Sequence, residues 1–370
     1  MPASSPTTRS RRAVFLRPVL LITVGATVAV VAAEVLLRVT GLAPAQGTLF
    51  TVSDRQFERI PGIFEPVESR VVRGIGDLSY QASINSLGYR GPDFASTPSD
   101  GELRVLFTGD SFVFGDHVDD PETLPSQTEL LLSERCAHAV RIVNAGLGDS
   151  TLRDQIELVR RARQIRPSIV FQLFSEDDIR DLMGPSTWEQ LAENRAAKSA
   201  FPLSVFYPIA RHMALWNLAL RVRSVARSQE VDRELAADGG EGPDAGPAAL
   251  EPSGTPAVDQ SRERYADLLR ELRDGLGEDG VGLVFIVYPS HHTVYGTVDS
   301  DQYAWAVALG QELGLPTVSL LEPLEADGRP SDDLYLMPLN GNPSPAGYRV
   351  AAEHLVERLL LHTPFLEACA

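Results

Sequence analysis

"RVLFTGDSFVFGD", Arg104–Asp116, opens as an apolar, β-branched run and closes on a glycine, an acid and a serine followed by more apolar residues. A run that is apolar at consecutive positions is a strand buried on both faces, the pattern of a parallel sheet covered by helices. Similar runs follow at Leu103–Gly109, "VRIVNAG" (Val140–Gly146), "SIVFQLF" (Ser168–Phe174), "VGLVFIVYP" (Val281–Pro289) and "PTVSLLEP" (Pro316–Pro323). Amphipathic stretches alternate with them at Thr123–Glu134, Thr151–Ile165, Gln260–Leu276, Gln302–Leu313 and Pro345–Leu361. This alternation predicts an α/β fold of three layers, α/β/α, around a five-stranded parallel sheet. In such a sheet ligands collect where loops leave the carboxyl ends of the strands. Ser111 stands at one of those ends, either as a nucleophile or as a small residue in a turn.

The other strand ends carry the rest of the chemically suggestive residues. The second delivers "NAGLGDS" with Gly146 and Gly148, the third "SEDDIRD" with Asp177 and Asp178, and the fourth "YPSHH" with His291 and His292. The approach to the last helix reads "LNGNPSPAGYRVAAEHL", with Asn340 and Asn342. "GDS" alone is a frequent tripeptide, but the ordered set from about Asn85 to Leu360 resembles the SGNH/GDSL hydrolase superfamily. More narrowly it resembles that family's membrane-anchored bacterial members, some related to polysaccharide O-acetyltransferase and esterase domains. The resemblance implies a flavodoxin-like sheet, Ser111 as nucleophile, and the backbone N–H groups of Ser111 and Gly148 as two arms of an oxyanion hole. Such donors matter because acyl transfer builds negative charge on one oxygen.

Two family positions depart from the pattern. Asp177 stands where the family has an oxyanion asparagine, and an ionised carboxylate about 4 Å from an oxyanion at an effective dielectric near 20 repels it by about 4 kcal/mol. Asn342 stands at the position of the base histidine, with Asn340 at a neighbouring acidic one, and asparagine takes no proton at neutral pH. His291, His292 and His117 are the candidates for a substitute base, with Asp177 a further one and His354, inside the last helix, the least well placed. Loop or surface histidines are the plainer reading of each. Asp178 and Asp181 read as anchors of the loop after the third strand, and Phe112 and Phe114 as packing beneath the sheet end.

Two functions therefore stay open: a serine ester hydrolase or O-acyltransferase acting on an acylated glycan or a small acyl ester, and a catalytically silent relative that binds a glycan or an envelope protein partner. A nucleotide-binding domain is disfavoured because no Gly-rich phosphate loop follows the first strand. No cofactor is expected, and "HHTVYG" offers no third ligand at metal spacing.

The formal net charge of −17 argues against nucleic acid as a partner, because a polyphosphate would be repelled. Residues 1–17 form a basic tail with Arg9, Arg11, Arg12 and Arg17; residues 18–38 are apolar apart from Glu34 and Arg38, which sit four apart and can pair. Such a segment predicts a transmembrane anchor with its N-terminus in the cytoplasm and the body of the chain outside. A cleaved signal peptide is the rival, with a small-x-small site in "APAQ", Ala43–Gln46. Residues 39–100 read as an extended arm packing on the main domain at 101–362, and the acidic, Gly/Ala/Pro-rich stretch from Ser228 to Gln260 as a disordered insert within it, after helices near Ala200–Arg227. The two cysteines, Cys136 and Cys369, lack metal spacing, and whether they pair is open at this level.

Overall fold

A computed structural model describes residues 9–40, 60–73, 79–219 apart from 149, 185 and a scatter between 190 and 217, then 256–297, 301–337 and 341–361. Residues 1–8 of the basic tail, the "APAQ" site, the insert from 228 to 255, Asn340 and Cys369 lie outside the described residues. The chain divides into two compact units, one formed by Met1–Thr48 with Ala197–Glu234 and the other by Leu49–Ala196 with Leu235–Ala370.

The larger unit is built on β3 (Leu103–Gly109), β4 (Val140–Gly146), β5 (Ile169–Phe174), β6 (Gly282–Val287) and β7 (Thr317–Ser319), all parallel in the order β4-β3-β5-β6-β7. β3 leads out to β4 on one side and β5 to β6 on the other, so the loops after β3 and β5 diverge between those two strands, where a crevice is expected in such sheets. Ahead of the sheet, β1 (Val67–Arg73) and β2 (Ser79–Ile84) form an antiparallel pair.

Alternation along each strand divides the core into two. Val105, Phe107, Ile169, Phe171, Val284 and Ile286 share one cluster with the helix Leu124–Arg135 and the last helix, Pro345–Leu359. Leu106, Val143, Val170, Phe174, Phe285 and Val287 share the other with the helices Leu152–Ala162, Pro256–Glu278 and Gln302–Glu312. Successive side chains of a strand point to opposite faces, and each face here is covered by helices, giving the three layers.

Two boundaries differ from the sequence reading. The fifth apolar run ends as a strand at Ser319, and Leu321–Asp327 is a helix. Leu320 and Leu324 are both buried, so the apolar run continues through the change of backbone and hides it. The helix before β6 starts at Pro256, so residues 256–260 of the expected insert are its first turn, with the proline where a missing N–H costs no helical hydrogen bond.

The arm packs through Arg90, which is 4% exposed. Its guanidinium pairs with Asp120 (2.8 Å) and donates to the carbonyls of Phe114, Gly115 and Val118 at 2.7, 2.5 and 2.6 Å. It also lies over the Phe114 ring, 4.9 Å from the centroid, and its backbone N–H donates to Asn144 O in β4 (3.3 Å). Cys136 is disulfide-bonded.

Candidate active site

Strand β3 ends at Gly109, and the next residue, Asp110, caps the single turn Ser111–Phe114 by accepting from the Phe112 N–H at 2.8 Å. The turn sits so close to β4 that a Cβ on Gly146 would fall 2.0 Å from the Phe114 nitrogen. Glycine at 146 is thus a condition for placing Ser111. Leu147 N–H donates to Gly109 O (3.0 Å), which ties the loop carrying Gly148 to the end of β3. Gly148 lies beside Asp116: a Cβ there would stand 3.6 Å from Asp116 Oδ2.

The Ser111 hydroxyl donates to Asn342 Oδ1 at 3.3 Å, across 231 residues of sequence. Asn342 is 7% exposed, and the loop holding it is fixed by Leu336 N–H to Asn342 O (2.8 Å). Serine and asparagine therefore face each other as nucleophile and base do in a dyad, but the acceptor is an amide oxygen. It orients the hydroxyl and cannot carry its proton.

Neither His291 nor His292 hydrogen-bonds Ser111. His291 begins the turn His291–Val294, with its ring against that of His292 (centroids 3.8 Å apart, tilted by 39°) and packed beside Gly341, whose Cβ position would be 3.4 Å from His291 Nδ1. Burial, with the neighbouring His292, pushes the His291 pKa down to about 4, so the ring is neutral at physiological pH. His292 Nδ1 meets Thr297 Oγ1 at 2.7 Å, and burial lowers its pKa against the opposing pull of Glu176 and Asp177. His117 sits at φ 71° beside the Tyr80 ring (5.7 Å), and it too is lowered by burial. His354, in the last helix, is lowered by burial and by Arg358.

Acids crowd the same edge. Asp110 is buried, with Oδ2 accepting from Ser175 Oγ at 2.6 Å; desolvation is the main cause that lifts its pKa to about 6, and the charge of Asp177 adds to it. Asp178 is buried behind it, accepts from Ser175 N–H (3.1 Å), and is held well above the ordinary carboxylate range by burial and by Asp110. Asp177 opens the turn Asp177–Asp181 and pairs with Arg180 at 3.1 Å. That arginine offsets part of the repulsion an oxyanion near Asp177 would meet.

Glu176, not singled out in the sequence, ties the ends of β5 and β6 together. It is 1% exposed and accepts from Ser290 N–H (2.7 Å) and Thr293 Oγ1 (2.8 Å). It thereby holds the turn that carries His291 and His292. An acid inside a run of three acids gives no local sign of this role, because both donors come from more than a hundred residues away.

No family model matches the chain, and no curated protein matches it. Among solved structures it is similar to a protein assigned to the lipolytic G-D-S-L family from Desulfitobacterium hafniense, at 13% identity and a TM-score of 0.40 over 69% of this chain and 99% of that one. It is similar to a lipase/acylhydrolase from Enterococcus faecalis, at 14% identity and a TM-score of 0.40 over 69% and 94% of the two chains. The acetylxylan esterase Axe2 from Geobacillus stearothermophilus gives 14% identity and a TM-score of 0.38 over 70% and 94%. The solved structures that this α/β/α chain is similar to thus include lipolytic GDSL/SGNH hydrolases and an acetylxylan esterase.

Proposed function

We propose that the Ser111 site binds neutral acyl esters, such as those of an acylated glycan or a small ester, and reacts with them slowly through Ser111. The observation that carries this is the Ser111–Asn342 contact, which orients the hydroxyl at the rim of the sheet but gives it no proton acceptor. Asp116 beside Gly148 and Asp177 beyond β5 make the rim acidic, which disfavours anionic substrates and suits uncharged esters. Gly148 and the Ser111 amide are the candidate oxyanion donors. His291, neutral and packed beside Gly341, the residue before Asn342, is the candidate base of this reading. A silent binder of a glycan or envelope partner is the second reading, favoured by Ser111 donating to the Asn342 amide and, among the described residues, to no histidine.

One N-terminal helix, Arg9–Thr40, is long and apolar enough to cross a membrane over Leu21–Thr40. The proposed place of the protein is the cell envelope, with the N-terminus cytoplasmic and the sheet domain outside. Arg9, Arg11, Arg12 and Arg17 before the span, against Arg38 at its far end and Arg55 after it, support that orientation.

Labelling with a fluorophosphonate probe tests the chemistry. A slow adduct that disappears in Ser111→Ala supports the serine reading. No adduct, with glycan binding unchanged by Ser111→Ala, establishes the silent binder instead.

A further inference from the structure

We infer that residues 201–219 form a second membrane-contacting element, seated in the interfacial layer of an anionic bilayer against the outer end of the N-terminal helix. The inference rests on reading that helix as membrane-crossing and goes beyond it. It concerns a segment that the sequence places between β5 and β6, far from the anchor in the chain.

Glu34 supplies the first observation. It lies six residues before the last residue of the helix, Thr40, about 9 Å along the axis at 1.5 Å per residue. A carboxylate at that depth is costly unless paired. Its partners are Arg38 Nε (2.7 Å) and two backbone donors from the distant segment, the N–H groups of Ala214 (2.8 Å) and Leu215 (3.0 Å). Leu37 and Ala214 are buried against each other, with Leu215 and Leu218 packed around them. The segment is therefore held at the depth of a charged residue inside the apolar span.

The second observation is the face it leaves open. In the helix Leu203–Ala210, Val205, Phe206 and Ile209 are 58%, 60% and 66% exposed, and Phe201 just before it is 83% exposed. Residues 205, 206 and 209 fall on one side of a helix. Scattered exposed apolar residues are ordinary, but a contiguous set beside an apolar span shares that span's solvent. Leu21, Ile22, Val28 and Leu36 of the N-terminal helix are exposed in the same way.

Charge identifies the occupant. Residues 197–227 contain Lys198, Arg211, Arg221, Arg223 and Arg227 and no aspartate or glutamate, in a chain of net charge −17. Arg211 among Phe201, Phe206, Tyr207 and Trp216, with Lys198 before them and Arg221, Arg223 and Arg227 after, is the composition of a segment lying in the headgroup layer, where cations meet anionic lipid and aromatic rings meet the acyl boundary.

The test uses the full chain in vesicles of phosphatidylcholine and phosphatidylglycerol, with an environment-sensitive fluorophore on either Phe206→Cys or Val28→Cys and quenchers attached to lipid at shallow or deep positions. The expected result is loss of most emission at 206 with the shallow quencher and at 28 with the deep one, and weaker quenching at 206 in vesicles of phosphatidylcholine alone. Quenching at 28 with none at 206 overturns the inference and leaves the anchor standing. No quenching at 28 overturns the anchor itself. A fluorophore at 206 that ignores lipid quenchers but self-quenches between chains shows that a second copy covers the face, which also overturns the inference.

Discussion

Ser111 Oγ and Asn342 Oδ1 are 3.3 Å apart, so the last loop before the final helix reaches the serine but offers it only an amide. A histidine at 342 would occupy the same contact with a nitrogen able to take the proton. General-base assistance is worth about a hundredfold to ten-thousandfold. Asn342→His is therefore expected to raise hydrolysis of a p-nitrophenyl ester by at least about a hundredfold, with the gain lost in the Ser111→Ala double variant. Unchanged rates in a folded Asn342→His protein count against Ser111 as a nucleophile, and the measurement is a simple chromogenic assay.

Asp110 links the site to the stability of the fold. Its folded pKa, about 6, lies above the 3.8 of an unperturbed aspartate, chiefly because burial disfavours the charged form. The folded protein thus holds this proton more tightly than the unfolded chain does. The corresponding stability is fully present below about pH 4 and is lost as pH rises through about 6, an effect on the order of 3 kcal/mol. In Asp110→Asn the fall in stability between those two pH values should be smaller than in the parent by about that amount. Paired urea titrations across the range read the difference, and parallel curves would refute the assignment.

Much of this geometry was legible in the residues. The limits of β3 and β4 coincide with the apolar runs Leu103–Gly109 and Val140–Gly146, because both faces of those strands are buried and each run stops at a glycine that the fold needs. Asn342 was legible as the residue facing Ser111 only through the family pattern. The roles that carry no mark in the sequence depend on long-range hydrogen-bond partners. The role of Glu176 needs Ser290 and Thr293, that of Glu34 needs Ala214 and Leu215, and that of Arg90 needs three carbonyls after Ser111. None of these partnerships leaves a periodic mark in the chain. The fifth apolar run outlasts its strand for a different reason, since an apolar strand and the buried side of the following helix look alike over a few residues.

Gly146 tests how tightly the serine turn is held. A methyl group 2.0 Å from the Phe114 nitrogen cannot be accommodated by a side-chain rotation, because the obstacle is backbone. Gly146→Ala should push the Ser111–Phe114 turn off β4 and cost roughly 1–3 kcal/mol or more in denaturant titration. Gly148→Ala is the control, since its Cβ would make an ordinary 3.6 Å contact with Asp116 Oδ2. It should leave stability nearly unchanged. Equal losses from the two substitutions would contradict the packing described for this edge.

Arg90 closes the turn from the other side. Its guanidinium satisfies the carbonyls of Phe114, Gly115 and Val118 and neutralises Asp120, whose Oδ2 accepts in turn from Ser83 N–H and Oγ at 2.8 and 2.6 Å. Replacing it with methionine keeps most of the volume but takes the charged donor from three carbonyls and from Asp120, leaving Phe114 O its bond from Asn144 Nδ2 (3.2 Å) and Asp120 its bonds from Ser83. Breaking a fully buried pair from one side costs about 3–5 kcal/mol, an upper bound here because the Asp120 side chain is 24% exposed. Arg90→Met should therefore lower the urea midpoint markedly. Because the freed carbonyls belong to the serine turn and the residues just after it, it should also slow fluorophosphonate labelling of Ser111 under conditions where the protein is still folded. Adding Asp120→Asn removes the stranded charge and should recover part of the stability without recovering the labelling, which separates the electrostatic role of Arg90 from its hold on the turn.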